Sequence, residues 1–390
     1  MAENDFVAPD LLKVTEYKLL EKLPDPFIKA DGQRLADPAG WEERRKEIKA
    51  VACDLLYGKR PPEPEFLEIE PICDYYYSRT KVYRITTGTR ERPLRFRLKL
   101  LIPENTEGKW PVIIDGDDCF RPQEGYYEAA LSRGIGWALF DRTEFAHDVQ
   151  SEQRGCGALY ETYPELDCGA LSCWAWGYSR AADALQKLNL PIDLDWIAIT
   201  GHSRGGKTTL LAGALDERFR VVNPNESGAG GCGCYRVQIR GVYNNEVEGR
   251  NEVLRDSMEA FPYWYGKAAA AYVDRENELP FDLHFIKAMV APRTLFVSQA
   301  AGDLWANPPG SWQTTMAAKE VYRFLNAVDN LFWYYRPGYH AHLACDAQML
   351  VNVILHQKNG EPLDEKMFRT PFAEPAPAFD WRCPGSGTKP

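Results

Sequence analysis

The stretch ITGHSRGGKTTLLAGAL, residues 199 to 215, places a serine between two glycines at the point where an apolar strand passes into a helix. Gly201, Ser203 and Gly205 give the pattern G-x-S-x-G, which forms a sharp strand-to-helix turn that exposes the serine hydroxyl. The helix that follows directs N–H groups and the positive end of its dipole at any anion formed on a substrate. Because short patterns also match by chance, the flanking strand and helix carry the argument. We therefore predict that Ser203 is a catalytic nucleophile.

The composition predicts a globular protein that does not bind nucleic acid. With 390 residues, of which 45% are hydrophobic, the chain can bury the core of one large domain or two small ones. A phosphate-binding surface needs a basic excess, whereas the net charge is −10. The ten cysteines are scattered, which predicts buried thiols and no disulfide framework.

The sequence also bears on location. No run approaches the roughly 18 apolar residues of a membrane span, and the start MAENDFVAPDLLK lacks the basic and apolar regions of a signal peptide. We expect no membrane partner and a cytoplasmic location for the chain as it stands, or a secreted or periplasmic one if a signal has been removed.

The order of apolar segments predicts the fold class. The run LRFRLKLLIP alternates from Leu94 to Leu100, as a half-buried antiparallel strand does. Strands buried on both faces are indicated by the continuous runs PVIIDG, IGWALFDR, WIAITG, FRVVNP, RTLFVSQ and LFWYYRPG. Helical stretches separate them at residues 123–132, 168–188, 204–215 and 312–326. This alternation predicts an α/β protein with a mostly parallel central sheet flanked by helices as a three-layer sandwich. Together with the G-x-S-x-G turn at Ser203, it favours the α/β-hydrolase fold.

Three parts of the chain are predicted. Residues 1–80 show no strand alternation and form a helical or irregular extension packing on the core, with a helix that begins after Asp37 and ends at Gly58. Residues 81–365 form the catalytic domain. Residues 366–390 form a Pro/Gly-rich tail.

A nucleophilic serine needs a base and an acid. In hydrolases of this kind the base lies on a loop after the last strand, and only YRPGYHAH places histidines there. We predict His340 as the base, with His342 as the alternative or as a substrate-binding or packing residue. For the acid the sequence offers Glu226, after the strand FRVVNP, and Asp303, after RTLFVSQ, where this fold usually has it. The residues alone leave both open.

Several motifs occur together in one order: CGALSCWAWGYSRAADAL, ITGHSRGGKTTLLAGALDERF, NESGAGG, FPYWY, APRTLFVSQAAGDLWANPPG and RPGYHAH. In these motifs, over roughly residues 80 to 350, the chain resembles the glucuronoyl esterases of carbohydrate esterase family 15. The resemblance implies a serine esterase that hydrolyses the ester between 4-O-methyl-glucuronic acid of glucuronoxylan and a lignin alcohol, by a Ser-His-Glu acyl-enzyme mechanism without a cofactor. Glucuronoxylan fragments would be its substrates, and its oligomeric state stays open.

The resemblance also implies residue roles. It makes Glu226 the acid, because the family has the same spacing from the nucleophile. It matches Arg204 to an arginine that helps to hold the oxyanion, Lys207 to a lysine that contacts sugar hydroxyls, and Trp305 to a tryptophan at the uronate site. Fungal members have cysteine in place of His202, whereas bacterial members often have histidine, which implies a bacterial-type member.

One segment departs from the pattern. DGDDCF, residues 115–120, lies where the first oxyanion-hole loop is expected and is unusually acidic. The cluster of Asp115, Asp117 and Asp118 could bind a cation, but no regular metal-ligand spacing follows, so we predict no metal site. Two other functions stay open. An acetyl xylan esterase or other carbohydrate esterase would use the same triad, and a carbohydrate-binding protein of this fold would have no turnover.

Overall fold

The computed structural model describes residues 11–75, 77–104 and 107–385. The strands are β1 (Leu12–Leu19), β2 (Phe66–Tyr75), β3 (Thr80–Gly88), β4 (Pro93–Leu101), β5 (Trp110–Asp115), β6 (Gly136–Leu139), β7 (Ile192–His202), β8 (Phe219–Asn225), β9 (Val237–Tyr243), β10 (Val247–Arg250), β11 (Thr294–Ala300) and β12 (Leu331–Arg336). The α-helices are α1 (Trp41–Ile48), α2 (Leu55–Tyr57), α3 (Glu128–Leu131), α4 (Ala158–Thr162), α5 (Ala170–Lys187), α6 (Arg204–Leu215), α7 (Leu254–Ala260), α8 (His284–Ala288), α9 (Pro308–Phe324) and α10 (Ala344–Asn359).

The larger sheet has nine strands in the described part of the chain, in the order β12-β11-β8-β7-β5-β6-β4-β3-β2. The strands from β12 to β6 pair in parallel, and β4, β3 and β2 continue the sheet in antiparallel pairing. A smaller antiparallel sheet joins β1, β9 and β10. The six continuous apolar runs are the six parallel strands, and the alternating run lies in β4. The predicted mostly parallel sheet is confirmed.

Helices cover both faces of the larger sheet. Val112 and Ile114 of β5 belong to the core that also contains α5 and α6, whereas Ile113 belongs to the core formed with α10. Successive side chains of a strand point to opposite faces, so these two cores lie on opposite sides of the sheet. The predicted three-layer arrangement of the α/β-hydrolase fold is confirmed.

The first 80 residues contain two strands that the sequence did not predict. β1 pairs with β9, and β2 forms the edge of the larger sheet beside β3. The prediction of a helical or irregular extension is therefore wrong for these two stretches. Their side chains are mostly exposed or half-buried, so hydrophobic alternation is weak. The division into three parts stays a prediction.

The predicted helix between Asp37 and Gly58 is present. The Asp37 side chain accepts a hydrogen bond from the N–H of Ala39, a π-helical turn at Lys49–Asp54 joins α1 to α2, and Gly58 ends the helix with φ of +80°. In contrast, the helix predicted over residues 123–132 is shortened to α3.

Two predictions from composition can be compared with the fold. Among the described residues, which include all ten cysteines, no disulfide bond is formed; most of the cysteines are buried or half-buried, but Cys345 is exposed. Among the described residues, no helix combines the length and apolarity that crossing a membrane requires.

Candidate active site

The site residues follow four neighbouring parallel strands. Ser203 comes directly after β7, Glu226 directly after β8, Asp303 shortly after β11 and His340 shortly after β12. The carboxyl ends of parallel strands meet at one edge of a sheet, where open α/β folds bind ligands. Residues far apart in sequence therefore come together here.

Ser203 lies on a strained turn. Its φ of +57° and ψ of −119° are rare for any residue other than glycine. Its N–H donates to the carbonyl oxygen of Asn225 at 2.9 Å, which ties the turn to β8. A Cβ atom at Gly201 would lie 2.6 Å from the Gly205 carbonyl oxygen, and one at Gly205 would lie 2.1 Å from the Asp117 carboxylate. Both glycines of the motif are thus sterically required.

His340 contacts both candidate acids. Its Nδ1 lies 2.7 Å from Oδ2 of Asp303 and 3.4 Å from Oε2 of Glu226. Glu226 is fully buried and also pairs with Arg336, and its Oε2 accepts the N–H of Ala341 at 3.2 Å. The structure therefore places both candidate acids beside Nδ1 of His340, with Asp303 at the shorter distance.

The two acids change the protonation of the imidazole. Burial alone would lower the pKa of His340, but the hydrogen bonds and charges of Asp303 and Glu226 outweigh it and raise the pKa to about 10. Burial raises the pKa of Glu226 to about 8, against the opposing effects of His340 and Arg336. His340 and Glu226 therefore each shift the pKa of the other.

The other two histidines of the site are held neutral. Nδ1 of His202 lies 2.6 Å from Oδ1 of Asn225, and burial lowers the pKa of His202 to about 4. Nε2 of His342 lies 2.8 Å from the hydroxyl of Tyr126, and burial holds its pKa well below the ordinary value. The ring of His202 packs between them, with centroids 4.4 Å from His340 and 5.2 Å from His342. We refer to these three rings as the histidine stack.

Arg204 is positioned by contacts that the sequence did not predict. Its Nη1 donates to Oδ1 of Asp148 at 2.9 Å, and its guanidinium lies 4.4 Å from the ring centroid of Phe261 and 4.7 Å from that of Trp264. Asp148 also accepts from Arg142 at 2.8 Å. Phe261 and Trp264 belong to the motif FPYWY quoted above, so the sequence contained an indication of their place in the site. No motif near Asp148 or Arg142 indicated the role of these two residues.

The acidic segment is mostly neutralised. Asp117 accepts from Nε of Arg142 at 2.9 Å and from the N–H of His202 at 2.8 Å, and Asp118 pairs with Lys99 at 2.5 Å. Burial raises the pKa of Asp115 well above its ordinary value. Through the N–H of His202, Asp117 therefore holds the turn that carries Ser203 in place.

Ser203, Arg204 and His340 line two cavities. The larger, of about 320 Å³, is also lined by Phe120, Pro122, Tyr127 and His342. The smaller, of about 210 Å³, is lined by Lys207, Glu226, Glu252, Trp264 and Trp305. Because both open onto the same serine, a bound ester can place one side in each.

Lys207 lies deep in the smaller cavity. Its ammonium donates to the carbonyl oxygens of Ser227 and Ala229 and to Oε2 of Glu252, at 2.5 to 2.9 Å. A lysine has three N–H donors, so all are in use. The sequence did not predict that Glu252 lines this cavity, because no local motif marks it. Trp305 is 46% exposed at the mouth of the cavity, beside the guanidinium of Arg250 at 5.3 Å.

These features define a class of protein. A serine on a strained strand-to-helix turn, a histidine between carboxylates and a fixed arginine beside the serine, at the carboxyl edge of this sheet, are those of an α/β-hydrolase with a serine nucleophile.

Comparison with known proteins places the chain within that class. A family model described as "Glucuronyl esterase, fungi" matches residues 85–326. The chain is 31% identical over 83% of its length to the 4-O-methyl-glucuronoyl methylesterase of Cerrena unicolor. A carbohydrate esterase family 15 glucuronoyl esterase from Caldicellulosiruptor kristjansonii is 30% identical, with 93% of this chain and 97% of that chain covered and a TM-score of 0.82. The glucuronoyl esterase from Solibacter usitatus is 26% identical, with 88% and 99% covered and a TM-score of 0.73. The chain belongs to the glucuronoyl esterase family.

The chain matches only part of the length of the curated relatives. The chain spans 66% of the length of the Cerrena unicolor protein and 64% of that of a Podospora anserina 4-O-methyl-glucuronoyl methylesterase.

Proposed function

We propose that the chain is a serine esterase that hydrolyses the ester between 4-O-methyl-glucuronic acid of glucuronoxylan and a lignin alcohol. The observation that carries the proposal is the position of Ser203, which lies between a polar cavity with Lys207, Glu252 and Trp305 and a cavity with aromatic walls. The likeness to a 4-O-methyl-glucuronoyl methylesterase supports the acid component.

The reaction begins with attack of Ser203 Oγ on the ester carbonyl carbon. His340 takes the hydroxyl proton on Nε2, while Asp303 and Glu226 at Nδ1 orient the ring and stabilise the imidazolium. The oxyanion is stabilised by Arg204 and by the N–H groups at the start of α6.

Collapse of the tetrahedral intermediate breaks the bond to the alcohol, which leaves with the proton from His340. The uronic acid is now esterified to Ser203. A water molecule then attacks this acyl-enzyme, with His340 again as base, and the second collapse releases the free acid and restores the serine.

The smaller cavity holds the uronate side of the ester. All three N–H groups of Lys207 are paired, so its first effect is to hold the Glu252 carboxylate in place. That carboxylate keeps a lone pair that can accept a hydrogen bond from a sugar hydroxyl. Trp305 offers an indole face to the ring. The larger cavity, with Phe120, Pro122 and Tyr127, receives the alcohol, and His342 contributes to its wall.

The test is hydrolysis of a benzyl glucuronate by the wild type and by Ser203→Ala. We expect the wild type to release glucuronic acid and the variant to lose at least a thousandfold in kcat while remaining folded. Release of acetate from acetylated xylan in its place would assign the chain as an acetyl xylan esterase. A wild type that is inert on both substrates and unlabelled by an active-serine phosphonate would favour a binding protein.

A further inference from the structure

A second cluster of chemically reactive side chains lies on the loop between residues 145 and 157. His147, Glu152 and Cys156 each offer one metal-ligating atom, and these atoms lie within 4.8 Å of one another. Nδ1 of His147 is 3.2 Å from Oε1 of Glu152. The reaction proposed above uses none of these residues.

The spacing fits a tetrahedral metal. Bonds of about 2.0 Å to nitrogen and oxygen and about 2.3 Å to sulfur place neighbouring ligands roughly 3.3 to 3.5 Å apart. Small side-chain rotations therefore suffice to close the cluster around an ion. Imidazole, carboxylate and thiolate together suit zinc and similar transition metals, whereas magnesium and calcium require oxygen ligands.

The backbone of the loop is fixed without an ion. The N–H of His147 donates to the carbonyl oxygen of Cys156 at 3.0 Å, and the N–H of Glu152 donates to that of Val149 at 3.0 Å. The N–H of Ser151, in the same loop, donates to the carbonyl oxygen of Ala260 in α7, also at 3.0 Å. The backbone that carries the three ligands is thus arranged in advance, which lowers the entropic cost of binding.

The cluster is open to solvent. The side chain of His147 is 52% exposed and that of Glu152 25%, and Cys156 is half-buried. An ion can enter, and water can take the fourth position.

We propose that His147, Glu152 and Cys156 bind one divalent transition metal ion of the zinc class. The ion would close the loop. Asp148, the residue that follows His147 in this loop, holds Arg204. The site is separate from the group formed by His202, Glu226 and His340, which also has suitable spacing but contains no sulfur.

The sulfur ligand allows a direct test. Chelator-treated protein is titrated with Co²⁺, and the near-ultraviolet thiolate-to-cobalt charge-transfer band is recorded. We expect the band to saturate at one equivalent in the wild type, to vanish in Cys156→Ser and to persist in Cys345→Ser, which removes an exposed cysteine outside the loop. A wild type without the band, or a band that survives in Cys156→Ser, would overturn the proposal.

Calorimetric titration with Zn²⁺ tests the other two ligands. His147→Ala and Glu152→Gln should each weaken binding at the loop at least tenfold, since each removes one of three protein ligands. The measurement is made in a Ser203→Ala, His340→Ala background, so that the active-site group does not compete. If His147→Ala alters the thermal midpoint of the apoprotein, His147→Gln replaces it. Affinity unchanged in both ligand variants would contradict the assignment.

Discussion

His340 meets two carboxylates whose other partners differ. Among the described residues, Oδ1 of Asp303 accepts one long hydrogen bond, from the N–H of Ala306 at 3.2 Å, whereas Glu226 is engaged by Arg336 and by the N–H of Ala341. A carboxylate shared with a guanidinium stabilises an imidazolium less, because part of its charge is already compensated. At the residue scale, we infer from these contacts that Asp303 is the stronger partner of His340.

We therefore expect Asp303→Asn to lower kcat/KM more than Glu226→Gln. Each single variant should keep part of its activity, since the surviving carboxylate still orients the ring. The double variant should lose more than the product of the two single losses, because the acids substitute for each other. Steady-state kinetics of the three variants measure this.

Family spacing favours the opposite order. A nearly silent Asp303→Asn beside a crippled Glu226→Gln would assign the role to Glu226 and show that the shorter contact is structural. Thermal midpoints of the same variants separate loss of folding from loss of catalysis.

The raised pKa of His340 predicts a pH effect. His340 acts as a base only when deprotonated, and its pKa in the free enzyme sets the acid limb of kcat/KM. Asp303 and Glu226 raise that pKa, so Asp303→Asn should lower it and move the limb to lower pH. The profiles of wild type and variant, measured on one substrate, check the direction. A limb that stays in place or moves to higher pH would show that Asp303 does not control the base.

At the element scale, the turn between β7 and α6 stores strain at Ser203. A residue with a side chain in such a conformation costs about 1 to 3 kcal/mol, whereas glycine adopts it without a steric penalty. We predict that Ser203→Gly is inactive but has a higher thermal midpoint than Ser203→Ala, which keeps the strain. Calorimetry of the two inactive variants makes the comparison. Equal midpoints would mean that the turn is relaxed in solution.

The loop that carries Asp148 positions the start of α6. Asp148 accepts from Arg204 at 2.9 Å and from the Tyr263 hydroxyl at 2.7 Å. Asp148→Asn removes the charge that holds the guanidinium, so we expect kcat to fall about tenfold or more with little change in KM, as when an oxyanion donor is weakened.

Asp216, the cap at the other end of α6, is the matched control. It is a buried carboxylate that accepts from Arg218 and from the Ser179 hydroxyl, both at 2.7 Å. Asp216→Asn should destabilise the fold by about 1 to 3 kcal/mol and leave kcat nearly unchanged. If both variants lower kcat equally, Asp148 has only a structural role.

At the scale of the whole molecule, the sequence predicted the parallel sheet because strands buried on both faces are continuously apolar. It did not predict β1 and β2, since they lie at sheet edges and carry charged side chains, nor did it predict β9, which pairs with β1, and β10, which pairs with β9. The pairing of β1 with β9 joins strands distant in sequence, and a local hydrophobic pattern does not predict such pairing.

The same division applies to the site. Ser203 and His340 follow from a motif and from the order of elements. Asp148, Arg142 and Glu252 were missed because each acts through a residue distant in sequence: Asp148 is separated by 56 positions from Arg204, and Glu252 by 45 from Lys207. Only the folded chain brings these charges together.

The histidine stack has a consequence for the conditions in which the protein works. His202 lies on the serine turn, and His340 and His342 lie on the loop after β12, so ring packing joins the two segments without a covalent bond. The three rings contain no sulfur, so thiol chemistry does not act on this junction. The geometry of this junction should therefore be the same in reducing and oxidising surroundings, and ester hydrolysis should proceed equally well with or without a phosphine reductant, which contains no thiol.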